Sequence, residues 1–330
     1  MSQTRRCHNW NYKGRGLYLL TMVTKGRKPL LGELVDKEGR AFVQYSSIGN
    51  KVANQVEKMV TLYPQLRICA KQIMPDHIHV VLWVQESLPV PLGQIVRGFK
   101  AGCTQDCMGE PAQECAAQIS KIQEGLWEPG FNDRISFQKG QFERMIAYVQ
   151  DNPRRLALKR ANPDLFKLRT NREKAGMNFT MLGNLFLLDY PEKVVVQCSR
   201  AMTEAEIEEK KQEVLEQAER GAVCVSAAVS EGEKQICRAI REGGYPLVIL
   251  MKEGFPNDED ENSRYYKPGG VYFDACAAGK LLLIEPQESV YEIPDIRKAV
   301  NAKLQVVLPP TAERYRFLAL NEIAERLKNG

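Results

Sequence analysis

Two of the chain's three histidines, His77 and His79, stand two residues apart in MPDHIHVVLWV. Side chains alternate along a strand, so these two imidazoles share one face while Ile78 turns to the other. Neutral imidazole is a common metal ligand, and two on one face can hold a single divalent ion. They can equally be a hydrogen-bonded pair of surface or core histidines. Further on, GQFERMIAYVQDNPRR carries Tyr148 and Asn152, four apart and therefore on one helix face. Arg154, Arg155, Lys159 and Arg160 follow directly. A tyrosine hydroxyl can attack phosphorus, an amide can complete a ligand set, and the cations can hold neighbouring phosphates. The plainer alternative is that Tyr148 is a half-buried aromatic with a polar tip.

These residues need elements to hold them. Residues 17–24 read as a strand, and GRKPLLGELV as a turn with a second short strand. Ile48, Val52, Val56, Met59 and Val60 recur at helical spacing over 46–63, with Ser46 or Ser47 as cap and Pro64 beyond the end. Leu66–Ile73, a Pro75-Asp76 turn and Ile78–Val84 make an antiparallel hairpin. Leu92–Cys107 reads as a helix, then a polar loop runs to about Glu124. FNDRISF reads as a strand. Gln141–Gln150 reads as a helix with Phe142, Met145, Ile146 and Val149 on its apolar face, and Pro153 stops or bends it near Asn152.

The chain has 330 residues, enough for about two domains, with 44% hydrophobic and 26% charged residues. These are ordinary globular values and exclude a disordered or collagen-like chain. No apolar run approaches the ~18–20 residues of a membrane span, and the polar start carries no secretory h-region. Nine scattered cysteines fit a cytosolic protein with reduced thiols. Cys103, Cys107 and Cys115 are poorly spaced for zinc. Net charge is +5, but residues 1–175 hold 27 Lys and Arg against 16 Asp and Glu, and residues 176–330 hold 19 against 25. The halves therefore carry +11 and −6, and the basic half suits a polyanion.

The ordered set MPDHIHVVLWV, LWEPGFNDRI and YVQDNPRR resembles the HUH single-tyrosine transposases, and within them the REP-associated tyrosine transposase branch of the IS200-like group. The resemblance covers roughly residues 8–160. It implies a ferredoxin-like antiparallel sheet, an α+β HUH domain over 1–160, with the histidine strand central and the tyrosine helix beside it. It implies that His77 and His79 bind metal, that Asn152 is the third ligand and that Tyr148 is the nucleophile. It says nothing firm about Asp133. His8 reads as structural or as a nucleic-acid contact.

On that resemblance the chemistry is Mg²⁺- or Mn²⁺-dependent cleavage and rejoining of single-stranded DNA beside a hairpin or palindrome. Tyr148 would form a 5′-phosphotyrosine link and leave a free 3′-hydroxyl. Arg154, Arg155, Lys159 and Arg160 would contact DNA, and a homodimer is open. Trp10, Tyr12 and Trp83 are possible base-stacking groups, Trp83 more naturally a core residue. The rival from another class is a non-catalytic single-stranded DNA-binding or regulatory protein. A further rival is a nuclease in which water attacks and no covalent link forms.

Residues 161–180 read as a basic linker. Beyond it, strands at Lys193–Cys198, Val223–Ala228, Leu247–Met251 and Leu281–Ile284 alternate with helices at Thr203–Arg220, Glu231–Arg241 and Gly270–Ala278. That alternation predicts a doubly wound, Rossmann-like α/β layer over 181–330. SAAVSEGEKQICRAIREGGYPLVIL, RYYKPGG and AGKLLLIEP resemble the DprA/SMF DNA-processing family, which implies a single-stranded DNA-binding accessory domain. The −6 charge and the acidic 257–262 loop oppose that role. The Ser226–Gly232 loop lies where such sheets bind ligands, and the Glu231–Glu233 helix start could hold an anion.

Overall fold

The computed structural model describes residues 10–108, 125–251, 255, 270–288, 294–304 and 313–329. The chain forms two compact units, Met1–Leu158 and Lys159–Gly330.

The first unit runs β1 (Gly16–Val23), β2 (Gly32–Lys37), β3 (Arg40–Tyr45), α1 (Ser47–Leu62), β4 (Leu66–Met74), β5 (His77–Val84), α2 (Leu92–Met108) and β6 (Asn132–Ile135). Helix α3 (Gln141–Ala161) follows. The main sheet has the order β4-β5-β1-β6, and every neighbouring pair is antiparallel. β2 and β3 form a separate hairpin, a strand pair of which only the first was expected. Ser46 caps α1, its side chain accepting from the Gly49 N–H. Gly49 itself is required by packing, because a Cβ there would lie 1.9 Å from the Leu31 carbonyl oxygen.

Strand alternation gives the sheet two apolar faces. Ile78, Val80 and Leu82 join Tyr18, Leu20 and Met22 beneath α1 and α2. Leu19, Ala70 and Val81 face the other way and pack on Met145 and Val149 of α3. Each fully buried aliphatic contributes about 1.5–3 kcal/mol, and a one-residue slip of β5 would move Ile78, Val80 and Leu82 out of the α1/α2 core and put the histidines there. Register is therefore strongly fixed, and it commits His77 and His79 to the α3 face.

Helix α3 corrects one expectation. Pro153 lies inside it and the helix continues to Ala161. Proline leaves the Val149 carbonyl without its helical donor. The helix persists because Val149, Asn152 and Pro153 are buried, and the Asn152 side-chain amide donates to the neighbouring Tyr148 carbonyl at 2.7 Å.

The second unit holds β7 (Arg169–Lys174), β8 (Met177–Gly183), β9 (Lys193–Val195), α4 (Glu204–Glu219), β10 (Val223–Ser226), α5 (Glu231–Glu242) and β11 (Leu247–Leu250). It closes with α6 (Gly270–Ala277), β12 (Leu281–Pro286), α7 (Pro294–Leu304) and α8 (Glu313–Asn329). The segment expected as a linker is in fact the β7–β8 hairpin, turned by Ala175 and Gly176 at φ +49° and +72°. β7 is an edge strand of charged, exposed residues, which is why it resembles a linker in sequence.

The six-stranded sheet has the order β7-β8-β12-β11-β10-β9. β9 to β12 are parallel and β8 joins β12 antiparallel. The sheet is thus mixed and mostly parallel. Its parallel strands advance in sequence order without the reversal expected of a doubly wound layer. Ile296 and Val300 of α7, with Ala319, Ile323 and Leu327 of α8, cover one face after the last strand.

Candidate active site

The α3 face of the first sheet is a grid of cross-strand neighbours. His79 on β5 pairs with Thr21 on β1 and Gln72 on β4. His77 pairs with Val23 and Met74 one row further along. The two imidazoles approach through their Nε2 atoms, 3.2 Å apart. Two nitrogens each about 2.1 Å from one ion, at octahedral to tetrahedral angles, lie about 3.0–3.4 Å apart. The spacing therefore fits a shared cation.

Each histidine is held at its far nitrogen. His77 Nδ1 lies 2.6 Å from Asp76 Oδ1, and Asp76 Oδ2 accepts from the Arg27 guanidinium at 3.2 Å. His79 Nδ1 lies 2.8 Å from the Thr21 hydroxyl. One consistent proton assignment has His77 Nδ1–H donating to Asp76 and His79 Nε2–H donating to His77 Nε2. Thr21 then donates to His79 Nδ1. With both Nε2 lone pairs given to a cation, the His79 proton sits on Nδ1 and the Thr21 oxygen accepts it. A hydroxyl serves both arrangements. Burial pushes the Asp76 carboxyl up, but hydrogen bonding and charge from His77 and Arg27 outweigh it and hold it below the ordinary carboxylate range.

Helix α3 brings Tyr148 to this pair. Its ring centroid lies 5.5 Å from that of His79 at 67°, and the residue is 36% exposed, whereas His79 is 6% exposed. The nucleophile candidate is open to solvent beside a nearly buried ligand candidate, and both come from one chain. Asn152 is buried one turn along the helix. Its bond to the Tyr148 carbonyl uses Nδ2, which leaves Oδ1 as the atom suited to a cation. Among the described residues no group of three His, Cys, Asp or Glu could hold a metal.

The basic residues are not a uniform patch. Asp151 accepts from Arg154 Nε at 2.5 Å and from Arg155 Nε at 2.7 Å. Burial raises the Asp151 pKa, but the two arginines outweigh it and the net shift is downward. The Arg155 side chain is only 15% exposed, and its guanidinium carbon lies 5.7 Å from the Tyr148 ring centroid. Arg155 thus braces the tyrosine. Lys159 belongs to the second unit, where its ammonium lies 5.8 Å from both the Phe166 and Phe273 rings. Arg160 is exposed.

Other candidates sort by face. Trp10 donates to the Tyr18 hydroxyl at 2.9 Å, and Tyr12 donates to Asp133 Oδ2 at 2.8 Å. Trp10 and Tyr12 pack on the α1/α2 core, away from the histidines. Asp133 pairs with Leu20 and so also belongs to that face. Trp83 does not: it pairs with Leu17 and Arg67 on the histidine face, and is half-buried. His8 and Cys115 lie outside the described residues, and Cys103 and Cys107 are buried core thiols.

In the second unit the expected anion position is filled from within. Glu233 is fully buried and accepts from the backbone N–H groups of Cys198, Val229 and Ser230 at 3.2, 2.8 and 3.2 Å. Ser230 and Glu233 close a capping box at the start of α5. The helix start therefore carries its own carboxylate.

Thr21, Asp151 and the bracing role of Arg155 were not legible in the sequence. Thr21 meets His79 only through β-register, and Asp151 acts by collecting two arginines. Asp76 had a signal, since it directly precedes His77.

An antiparallel sheet presenting two imidazoles, with the exposed Tyr148 of α3 beside them, defines the site. No family model matches the chain. It is 27% identical over 168 residues to an uncharacterized protein of Haemophilus influenzae, across 45% of this chain and 86% of that one. A solved REP-associated tyrosine transposase bound to a REP hairpin is 18% identical with a TM-score of 0.33, over 46% of this chain and 73% of that one. A transposase candidate from Deinococcus radiodurans is 17% identical with a TM-score of 0.27, over 45% and 97%. Among the described residues no helix is long and apolar enough to cross a membrane.

Proposed function

We propose that the first unit is a transposase-type, HUH single-strand DNA transesterase built on a ferredoxin-like sheet. The observation that carries this is the 5.5 Å approach of Tyr148 to a histidine whose Nε2 lies 3.2 Å from that of His77. His77, His79 and Asn152 would hold the cation, with Asp76 and Thr21 orienting the imidazoles. A bound divalent ion supplies polarisation of the scissile phosphate and neutralises charge that develops on it. Two nitrogen donors favour Mn²⁺ over Mg²⁺, which prefers an all-oxygen shell.

The Tyr148 hydroxyl attacks phosphorus in line, forms a 5′-phosphotyrosine bond and releases the 3′-hydroxyl. The tyrosine proton passes to solvent at the open edge of the site, and the departing 3′-oxygen takes a proton up from solvent. The bond energy is conserved, so a second 3′-hydroxyl can reverse the step and join strands without ATP. Arg155 holds the ring against α3 while Asp151 holds Arg155. Tyr148 stands 5.5 Å from His79 of its own chain, which supports attack in cis. The substrate is single-stranded DNA beside a hairpin or palindrome, and the site of action is the cytoplasm. The second unit, a mostly parallel mixed sheet with α7 and α8 on one face, serves as an accessory domain.

The test is incubation with Mn²⁺ and a pool of hairpin-bearing single-stranded oligonucleotides with randomised flanks. A denaturation-resistant protein–DNA band is expected, lost with EDTA and in Tyr148→Phe. Cleavage without any such band would favour a water nucleophile instead.

A further inference from the structure

The histidine face extends beyond the histidines. β4 carries a bulge between Ile68 and Ala70, so Arg67 and Ala70 both lie on the α3 face although three residues apart. Arg67 thereby pairs directly with Trp83, and Trp83 pairs with Leu17 on β1. Trp83 stands four residues from His79 on the same strand, about 13 Å along it. That distance is a span of a few nucleotides of a single strand.

The chemistry of this row is distinct from that of the core. Among the described residues Trp83 meets no ring and no hydrogen-bond partner, and Arg67 is exposed and makes no ion pair. Among the described residues Trp83 is in neither the α1/α2 cluster nor the α3 cluster. By contrast, Arg154 and Arg155 are bound to Asp151. An indole with a guanidinium directly across the ladder offers a π-face for a base and a charge for the adjoining phosphate.

We propose that Trp83 and Arg67 form a stacking-and-phosphate step for a single strand of DNA on the sheet face that carries the histidine pair. This rests on reading that face as a DNA site. Trp83 receives a base without regard to its identity, because every base has a π-face. Arg67 contacts the phosphate beside it. The strand thus leaves the reacting centre along β5, with its charge neutralised by a residue outside the α3 arginine cluster.

The test uses the full chain in EDTA and a fluorescein-labelled dT20 probe, read by fluorescence anisotropy. Trp83→Ala is expected to weaken binding about 5- to 150-fold, while Trp83→Phe keeps most of the affinity. Arg67→Ala is expected to make the slope of log K against log salt shallower by about 0.7, the loss of one single-strand phosphate contact. Arg97→Ala, an exposed arginine on α2 across the sheet, is expected to bind as the wild type does.

Wild-type affinity in Trp83→Ala, or no dT20 binding by the wild type, overturns the proposal. Should Trp83→Ala fail to fold, Arg67→Ala decides alone, and an unchanged affinity and slope there overturns it. Tyr148→Phe separates the two readings. It is expected to bind dT20 normally while forming no adduct, so failure of the covalent chemistry leaves the binding result standing, and the reverse.

Discussion

His77 and His79 face each other through their Nε2 atoms at 3.2 Å, while their Nδ1 atoms are engaged by Asp76 and Thr21. On the proposed reading the two inward nitrogens are the pair that would share a cation, and Asp76 and Thr21 would tune its affinity.

Asp76→Asn and Thr21→Val are each expected to weaken Mn²⁺ binding about 10- to 100-fold. Titration calorimetry with the full chain reads this directly. Thr21→Ser keeps the hydroxyl and should keep most of the affinity. Equal loss in Ser and Val variants would point to packing rather than the hydroxyl.

Asn152→Ala removes both the amide oxygen and the bond from Nδ2 to the Tyr148 carbonyl. Stability should fall by about 1 kcal/mol from the lost hydrogen bond, measured by denaturant unfolding. Mn²⁺ affinity should fall with it. A variant with unchanged ion affinity would remove Asn152 from the ligand set.

Arg155→Ala should slow adduct formation by Tyr148 with little change in DNA affinity, because Arg155 is mostly buried against the tyrosine ring. Arg154→Ala removes a more exposed partner of the same carboxylate, an interaction of about 0–1 kcal/mol. Its adduct rate should stay near wild type. The contrast between neighbours, read in single-turnover assays, separates a brace from a surface ion pair.

Glu233→Ala leaves three backbone N–H groups without their acceptor, those of Cys198 and Ser230 buried and that of Val229 partly buried, and should destabilise the second unit by about 3 kcal/mol. Desolvation raises the Glu233 pKa despite those three donors. A raised folded-state pKa means the folded form holds the proton more tightly. Its contribution to stability is present at and below the ordinary carboxylate range and declines as pH rises through the folded value. Unfolding monitored against pH should show that slope in the wild type and lose it in Glu233→Ala.

The parts of this molecule written in local pattern were readable in advance. The stripe of Ile48, Val52, Val56 and Met59 declares α1, and the alternation around Ile78 puts both histidines on one face. Contacts set by register were not readable, because Thr21 and His79 lie 58 residues apart in sequence. The β7–β8 hairpin was hidden by the charges that protect its edge strand. Pro153 misled because burial holds α3 together where local chemistry alone would end it. The α3 arginines read as a DNA patch because Asp151, the residue that binds two of them, looks like any other surface acid.

The most direct measurement is mass mapping of the covalent complex formed with Mn²⁺ and single-stranded DNA. After nuclease and trypsin digestion, the peptide Met145–Arg154 should carry a nucleotide joined through its 5′-phosphate to Tyr148, and the released strand should end in a 3′-hydroxyl. Cleaved DNA with that peptide unmodified, or an adduct on any other residue, would contradict the account.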